Sequence, residues 1–338
     1  MSCAVEEKEE CETSSAHADG ASFFIGVDVG GSKICGVLVD ARQGGRIKVA
    51  DQLEIPARPG VDMVVDDIVE VISTLSQRNE APIAGVGIGI PGRVNPADGI
   101  VEDVANLDID RLELAGEIHR RTSLPVRVEN DVNAAAVGAY HMLCEANRPA
   151  ESEGEDVVAF LNLGTGVAAG ILRGGVPDHG FSNAVGEVGH IPVEPHGWNC
   201  TCGQKGCLET AAGGHSIARM WPYADPPMPD IISCVRDESS PRHDAAVRCL
   251  AVIVSAIADA LDILVMTIDP RIVVIGGGTT KVGSPLLDEI KRELRRREKE
   301  SAFVASLNMC DRLELAPRDL PLGALGAALV GMELEPVA

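Results

Sequence analysis

The feature that most constrains this chain is a strand–turn–strand pattern that occurs twice. An apolar run from Ser22 through Val27 meets Asp28, Gly30 and Gly31, then resumes at Ile34–Val39. Far along the chain, Val157–Leu163 meets Gly164-Thr165-Gly166 and resumes as Val167–Leu172. Two short apolar runs joined by a glycine turn predict a β-hairpin. Asp28, Gly30 and Gly36 have counterparts in Asn162, Gly164 and Gly170, at the same spacings of two and six residues. A polar residue at the matching strand end in both halves favours internal duplication over a chance pair of turns.

The rest of the pattern divides accordingly. Residues 1–21 carry Glu6, Glu7, Glu9, Glu10, Glu12 and Asp19 against Lys8 alone, and are expected to be a disordered acidic tail without the basic and apolar regions of an export signal. Residues 22–150 predict an N-terminal α/β lobe. Within it, Arg46–Gln52, Ile83–Ile90 and Val126–Val128 read as strands, and Val61–Gln77, Leu112–Arg121 and Val132–Met142 as helices. Ala150–Glu155 is polar and acidic, a linker by composition. Residues 151–338 predict a second α/β lobe with helices Ala245–Met266, Pro285–Lys299 and Leu322–Met332, and a strand Arg271–Ile275 before Gly276-Gly277-Gly278. Two lobes also suit a length of 338 residues.

Apolar residues make up 45% of the chain but aromatics only 3%, so its cores must be built from Val, Ile, Leu and Ala. The net charge of −22 leaves no spare cation field for a nucleic-acid duplex or an anionic membrane, although backbone N–H groups can still hold a nucleotide. No apolar run of the roughly 20 residues needed to span a bilayer is expected. Ten cysteines, scattered except for one tight group, favour reduced thiols plus a metal site, and hence a cytoplasmic protein.

Three glycine clusters and two polar motifs carry the chemistry. Asp28-x-Gly30-Gly31-Ser32-Lys33 between two strands can expose consecutive N–H groups to an oxyanion. Lys33 could add charge there and Asp28 could hold hydrated Mg²⁺; an ordinary hairpin turn has the same letters. Gly164-Thr165-Gly166 is open to the same two readings. Gly276 and Gly277 either leave room for an adenosine or simply turn the chain. Gly87-x-Gly89-x-x-Gly92 matches a dinucleotide fingerprint in letters, but Pro91 and the loop Arg93–Pro96 follow where a helix should start. Cys200-x-Cys202-Gly203-x-x-Gly206-Cys207 suits tetrahedral Zn²⁺, with His190, His196 or His179 as the fourth ligand. Such a closed Cys₃His site would be structural, and it would brace the loop carrying Glu187. In Glu129-Asn130-Asp131, Asp131 sits at a strand-to-helix junction, where it either caps the helix or acts as a general base.

From about Phe23 to Met332, the chain resembles the ROK family (repressor, open reading frame, kinase). The most specific matches are Gly186–His190, followed ten residues past the histidine by the cysteine knuckle, and Glu129-Asn130-Asp131. The resemblance implies two ribonuclease-H-like lobes around a central cleft, as in actin, hexokinase and the heat-shock ATPases. It implies an ATP- and Mg²⁺-dependent hexose kinase acting on the sugar 6-hydroxyl, glucose first, with N-acetylglucosamine, N-acetylmannosamine or fructose as alternatives. A sugar-binding regulator that lost phosphoryl transfer and a zinc hydrolase are the readings from other classes.

By the same resemblance, Asp131 is the base. Asn106, Asn130, Glu187, His190 and Glu209 bind the sugar. Asp28, Gly30, Gly31, Ser32 and Lys33 form one phosphate motif and Gly164, Thr165 and Gly166 another, with Gly276 and Gly277 at the adenosine. His190, Cys200, Cys202 and Cys207 bind a structural Zn²⁺, and the protein is a homodimer. Three stretches depart from the family pattern: Ser32 for Thr, Ala168 for Gly, and Asp108-Ile109-Asp110 for Pro-Gly-Trp after Leu107. The family's repressors carry a winged-helix domain before the kinase-like part; with an acidic segment of about 20 residues before the first strand here, a DNA-binding repressor is not expected.

Overall fold

A computed structural model describes residues 23–43, 46–146, 156–194 and 197–333. The acidic tail, the linker and His196 lie outside the described residues.

The first half begins with β1 (Phe23–Val29), β2 (Lys33–Gln43) and β3 (Arg46–Pro56), followed by helix α1 (Val61–Gln77) and β4 (Ile83–Ile90). Then come β5 (Arg93–Asn95), β6 (Ile100–Val104), β7 (Ile109–Glu113), α2 (Leu114–Thr122), β8 (Val126–Asn130) and α3 (Asp131–Glu145). The second half runs β9 (Val157–Leu163), β10 (Val167–Arg173), β11 (Val176–Pro177), α4 (Glu209–Ala212), α5 (Gly214–Met220), α6 (Pro227–Arg236) and α7 (His243–Ile268). It closes with β12 (Ile272–Gly276), α8 (Ser284–Glu300), α9 (Ala302–Ser306), β13 (Leu313–Leu315) and α10 (Leu322–Met332).

The two large sheets have one topology. Their orders are β3-β2-β1-β4-β8 and β11-β10-β9-β12-β13. In each, the opening hairpin is antiparallel and the later strands join in parallel. This is the duplicated pattern expected from the hairpins. One detail of that expectation fails. Four residues (30–33) separate the paired Val29 and Ile34, whereas three (164–166) separate Leu163 and Val167. A one-residue offset turns a strand over, so Gly36 and Gly170 occupy opposite faces. Gly36 lies under Val71 of α1, while Gly170 lies under Ala136 of α3.

Helices α3 and α10 form the layer between the sheets, and each crosses the expected lobe boundary. Helix α3 buries Val132, Ala136 and Ala139 with Phe160, Leu172 and Val274 of the second sheet. Helix α10 buries Ala324, Leu325 and Ala328 with Cys35, Val37 and Val39 of the first. A Cβ on Gly26 of β1 would lie 1.9 Å from the Ala324 carbonyl, so backbone meets backbone there. The assignment of 151–338 to one lobe therefore needs correction at its last helix, whose small residues pack against the glycines of β1 and β4 and against α3.

Two further expectations change. The loop read between Ile90 and the second helix holds the small sheet β5-β6-β7, and that helix starts two residues late, after β7. Helix α7 is long and apolar enough to cross a bilayer by length and composition, contrary to the estimate of apolar runs. Twelve of its residues, from Ala246 to Val265, are buried in the second lobe. That packing makes it a core helix.

Candidate active site in the interlobe cleft

A cleft of about 480 Å³ is lined by Asp28 and Lys33 from the first hairpin, Asp131 and Ala135 from α3, and Asn162 from β9. Gly277 and Gly278, after β12, and Arg318–Gly323, leading into α10, complete it. Both hairpin ends and the start of α3 thus meet at one cavity.

Local chemistry explains how Asp131 is presented. Asn130, not Asp131, caps α3: its Oδ1 accepts the Val132 N–H at 2.9 Å and the Asn133 N–H at 3.2 Å. Its Nδ2 donates to the Gly92 carbonyl at 3.2 Å. With the cap supplied by its neighbour, the Asp131 carboxyl is left in the first turn facing the cleft. Burial pushes its pKa up to about 7; the charges of Asp28 and Glu187 push the same way, against the Val132 N–H. Burial likewise pushes Asp28 up to about 6, opposed by Lys33. A carboxyl near 7 exchanges protons readily at neutral pH, as a general base must.

Two carboxyls crowded into one cleft are under-neutralised. The expected cation, Lys33, lies at the rim with its Nζ 2.6 Å from Glu54 Oε2, both side chains half exposed. The pairing raises the lysine's pKa and shares its charge with Glu54. A hard divalent cation such as Mg²⁺ fits this donor set of partly buried carboxylate oxygens. Lys281, Arg318, Glu54 and Asp319 also line the cleft. Nothing in their sequence neighbourhoods marks them, because they come from loops whose meeting depends on the fold.

The second glycine turn is tied to the cysteine knuckle. The carbonyls of Gly164 and Thr165 accept N–H groups of Gly214 and His215 at the start of α5. Glu209 Oε2 accepts the Val167 N–H at 3.2 Å and would lie 2.2 Å from a Cβ on Gly166. Glu209, expected at the sugar, thus sits directly behind the second glycine turn. Asn106 is equally near the first turn, its Nδ2 2.7 Å from where a Gly31 Cβ would be. Gly276 pairs with Asn162 in the sheet and Gly277 adopts φ +96°, so the third glycine cluster abuts the second hairpin. Beside it lies a second cavity of about 430 Å³, lined by Gly164, Thr165, Pro226, Met228 and Thr279, and sharing Gly278 and Lys281 with the first.

His190, Cys200, Cys202 and Cys207 place their ligand atoms within 4.8 Å of one another. Tetrahedral Zn²⁺ sets S···S separations of about 3.8 Å and S···N of about 3.5 Å. Cys202 and Cys207 are 3.7 Å apart, and Cys200 Sγ lies 3.6 Å from His190 Nδ1. The residues fit the ion. His190 Nε2 points the other way, 3.9 Å from Glu187 Oε2. His179, a rival for the fourth ligand, is instead engaged by Glu129 at 2.8 Å. None of the described cysteines is disulfide-bonded. The dinucleotide fingerprint fails as expected, since Gly87 and Gly89 lie inside β4 and a strand follows Gly92.

Comparison with known proteins agrees with this geometry. The chain is 31% identical to a glucokinase from Streptomyces coelicolor over 288 residues, covering 80% of this chain and 87% of that one. It is also 31% identical to an N-acetyl-D-glucosamine kinase from Escherichia fergusonii over 289 residues, 80% and 90% of the two chains. The crystal structure of a ROK family glucokinase from Streptomyces griseus, in complex with glucose and AMPPNP, superposes with a TM-score of 0.72 at 28% identity. That superposition covers 92% of this chain and 99% of that one. The two lobes have the actin/hexokinase/heat-shock ATPase fold. With residues 24–330 matching the family as a whole, this chain belongs to the ROK family.

Proposed function

We propose that this protein is an ATP-dependent hexose kinase that transfers the γ-phosphate to the 6-hydroxyl of a sugar, glucose first. One observation carries the reading: a partly buried Asp131 carboxyl, its pKa pushed up to about 7, shares a cavity with Asp28 and Lys33 of the first hairpin and Asn162 of the second. In the reaction, Asp131 takes the proton from the sugar hydroxyl as its oxygen attacks the γ-phosphorus. The bond from that phosphorus to the bridging oxygen breaks, and ADP departs. Positioning and charge stabilisation carry most of such a transfer.

The remaining residues take supporting roles. Backbone N–H groups of Gly30, Gly31, Ser32 and Lys33, and of Gly164, Thr165 and Gly166, hold the phosphates. Gly276 and Gly277, with the proline-rich second cavity, take the adenosine. Asn106, Asn130, Glu187, His190 and Glu209 bind sugar hydroxyls, Asn130 through the Nδ2 hydrogen that its cap and Gly92 bonds leave over. Asp28 would hold Mg²⁺, which offsets phosphate charge. His190, Cys200, Cys202 and Cys207 would hold Zn²⁺, a closed site that ties the loop of Glu187 to Glu209 and leaves no ligand position for hydrolytic water.

Phosphorylation of N-acetylglucosamine is the second reading, favoured by a relative of that name at the same 31% identity as the glucokinase. A coupled ADP-release assay over glucose, N-acetylglucosamine, N-acetylmannosamine and fructose separates the two, with Asp131→Ala as the control. Absence of Asp131-dependent turnover on every sugar would end the kinase reading.

A further inference from the structure

Glu129, at the end of β8, is a carboxylate only 4% exposed in its side chain, and it touches neither cavity. Its oxygens are fully used. Oε1 accepts the Asn130 N–H at 2.8 Å and an Asn133 Nδ2 hydrogen at 3.0 Å, both from the junction that begins α3. Oε2 takes His179 Nε2 at 2.8 Å. His179 comes from the other half of the chain, two residues past β11, and its side chain is a quarter exposed. Glu129 raises its pKa, with Asp178 adding to the effect, so the ring donates as an imidazolium or as the Nε2–H tautomer.

The bond therefore joins the two halves beside the residue that presents Asp131. Within its own half, the junction is held by the Asn130 cap and by Gly92. The first turn of α3 rests on β10, where Gly170 meets the Val132 carbonyl. His179 adds a directional tie from the half that carries the second phosphate turn. A buried carboxylate keeps such a partner in place, because an unpaired charge there costs more than an ordinary hydrogen bond.

We infer that His179 is a positioning residue for phosphoryl transfer: by bonding Glu129 across the lobes it fixes the β8–α3 junction and thereby aims Asp131 at the bound hydroxyl. This rests on the kinase reading. A misplacement of the order of 1 Å can lower the rate about a hundredfold without weakening substrate binding. An interaction felt only in the transition state lowers kcat and kcat/KM together.

The test is steady-state ADP release by the full chain with glucose and ATP. His179→Ala and His179→Leu remove the donor, while His179→Gln retains one. For Ala and Leu we expect kcat to fall by about 10- to 100-fold, with KM for both substrates within about threefold. The Gln variant should regain at least about a tenfold share of the loss. The inference is overturned by donor-less variants within about twofold of the wild-type kcat. A loss lying wholly in KM, or one that Gln does not restore, overturns it too. If one donor-less variant does not fold, the other together with Gln decides. Wild-type protein inactive on every sugar would sink the kinase reading and this inference with it, whereas active wild type with indifferent His179 variants would sink this inference alone.

Discussion

Replacing Asp131 by Asn separates the cost of the proposed catalytic carboxyl from its use. The cleft raises this group from 3.8 to about 7, so keeping it ionised costs up to ~4 kcal/mol relative to water. Below the unfolded-state pKa both states are protonated and the cost is absent. As the pH rises, the unfolded chain ionises first and wild-type stability falls, until the loss is complete above the folded-state pKa. The neutral amide of the Asp131→Asn variant carries no such cost. The substitution should therefore stabilise the protein at pH 8 and have little effect near pH 4. Water entering the cleft reduces the gain to ~1–3 kcal/mol, or a rise in Tm of about 1.5–4.5 °C at pH 8. Activity should move in the opposite direction. Loss of the general base costs about 10²–10⁴ in kcat, and wild-type kcat/KM should fall about tenfold per pH unit below an apparent pKa near or under 7. Differential scanning calorimetry at pH 4 and 8, with ADP release from pH 5.5 to 8.5, checks both effects. A flat wild-type profile, or an Asn variant equally active or destabilised at pH 8, would refute the reasoning.

Other perturbations address separate parts of the structure. Cys200→Ser should lower bound zinc from about one equivalent per chain to a small fraction and raise KM for the sugar at least about tenfold. Chelation of the wild type should do the same, and unchanged metal content on elemental analysis would count against the site. Gly26→Ala places a Cβ 1.9 Å from the Ala324 carbonyl and should cost ~3 kcal/mol or more in urea unfolding. Gly116→Ala, in α2 with nothing within 4 Å, should instead gain ~0.5 kcal/mol. Equal responses would show that α10 does not rest on β1 as described. Glu54→Gln releases Lys33 from a half-exposed pair worth at most ~1 kcal/mol. Its expected mark is a two- to threefold lower KM for ATP, more salt-dependent than in wild type.

Much of the chemistry was legible because it is local. A helix cap, a cysteine knuckle and a glycine turn each depend on residues within about ten positions of one another, so spacing alone carries them. The Cys200–Cys207 run gathers as its spacing implied, whereas spacing alone had left the fourth partner open and the fold brings His190 to it; β12 ends at its glycine cluster. The junction at Asn130 and Asp131 was placed correctly, although which of the two caps the helix depended on side-chain direction. Lys33 shows the other limit. Its position in the first glycine turn could be read, but its partner Glu54 lies on β3, and only the strand pairing brings the two together.

The sequence by itself determined the two α/β halves, since matched hairpins and alternating apolar runs encode each sheet through nearest neighbours. It also marked candidate residues for phosphate, metal and proton chemistry. Tertiary structure alone decided how the halves are joined. Helices α3 and α10 each bury their small residues against the opposite sheet, because only the glycines and alanines there allow backbones so close. It also decided that Glu129 meets His179, fifty residues on. Hydrophobic period names the face a helix must bury and is silent about which distant surface will cover it.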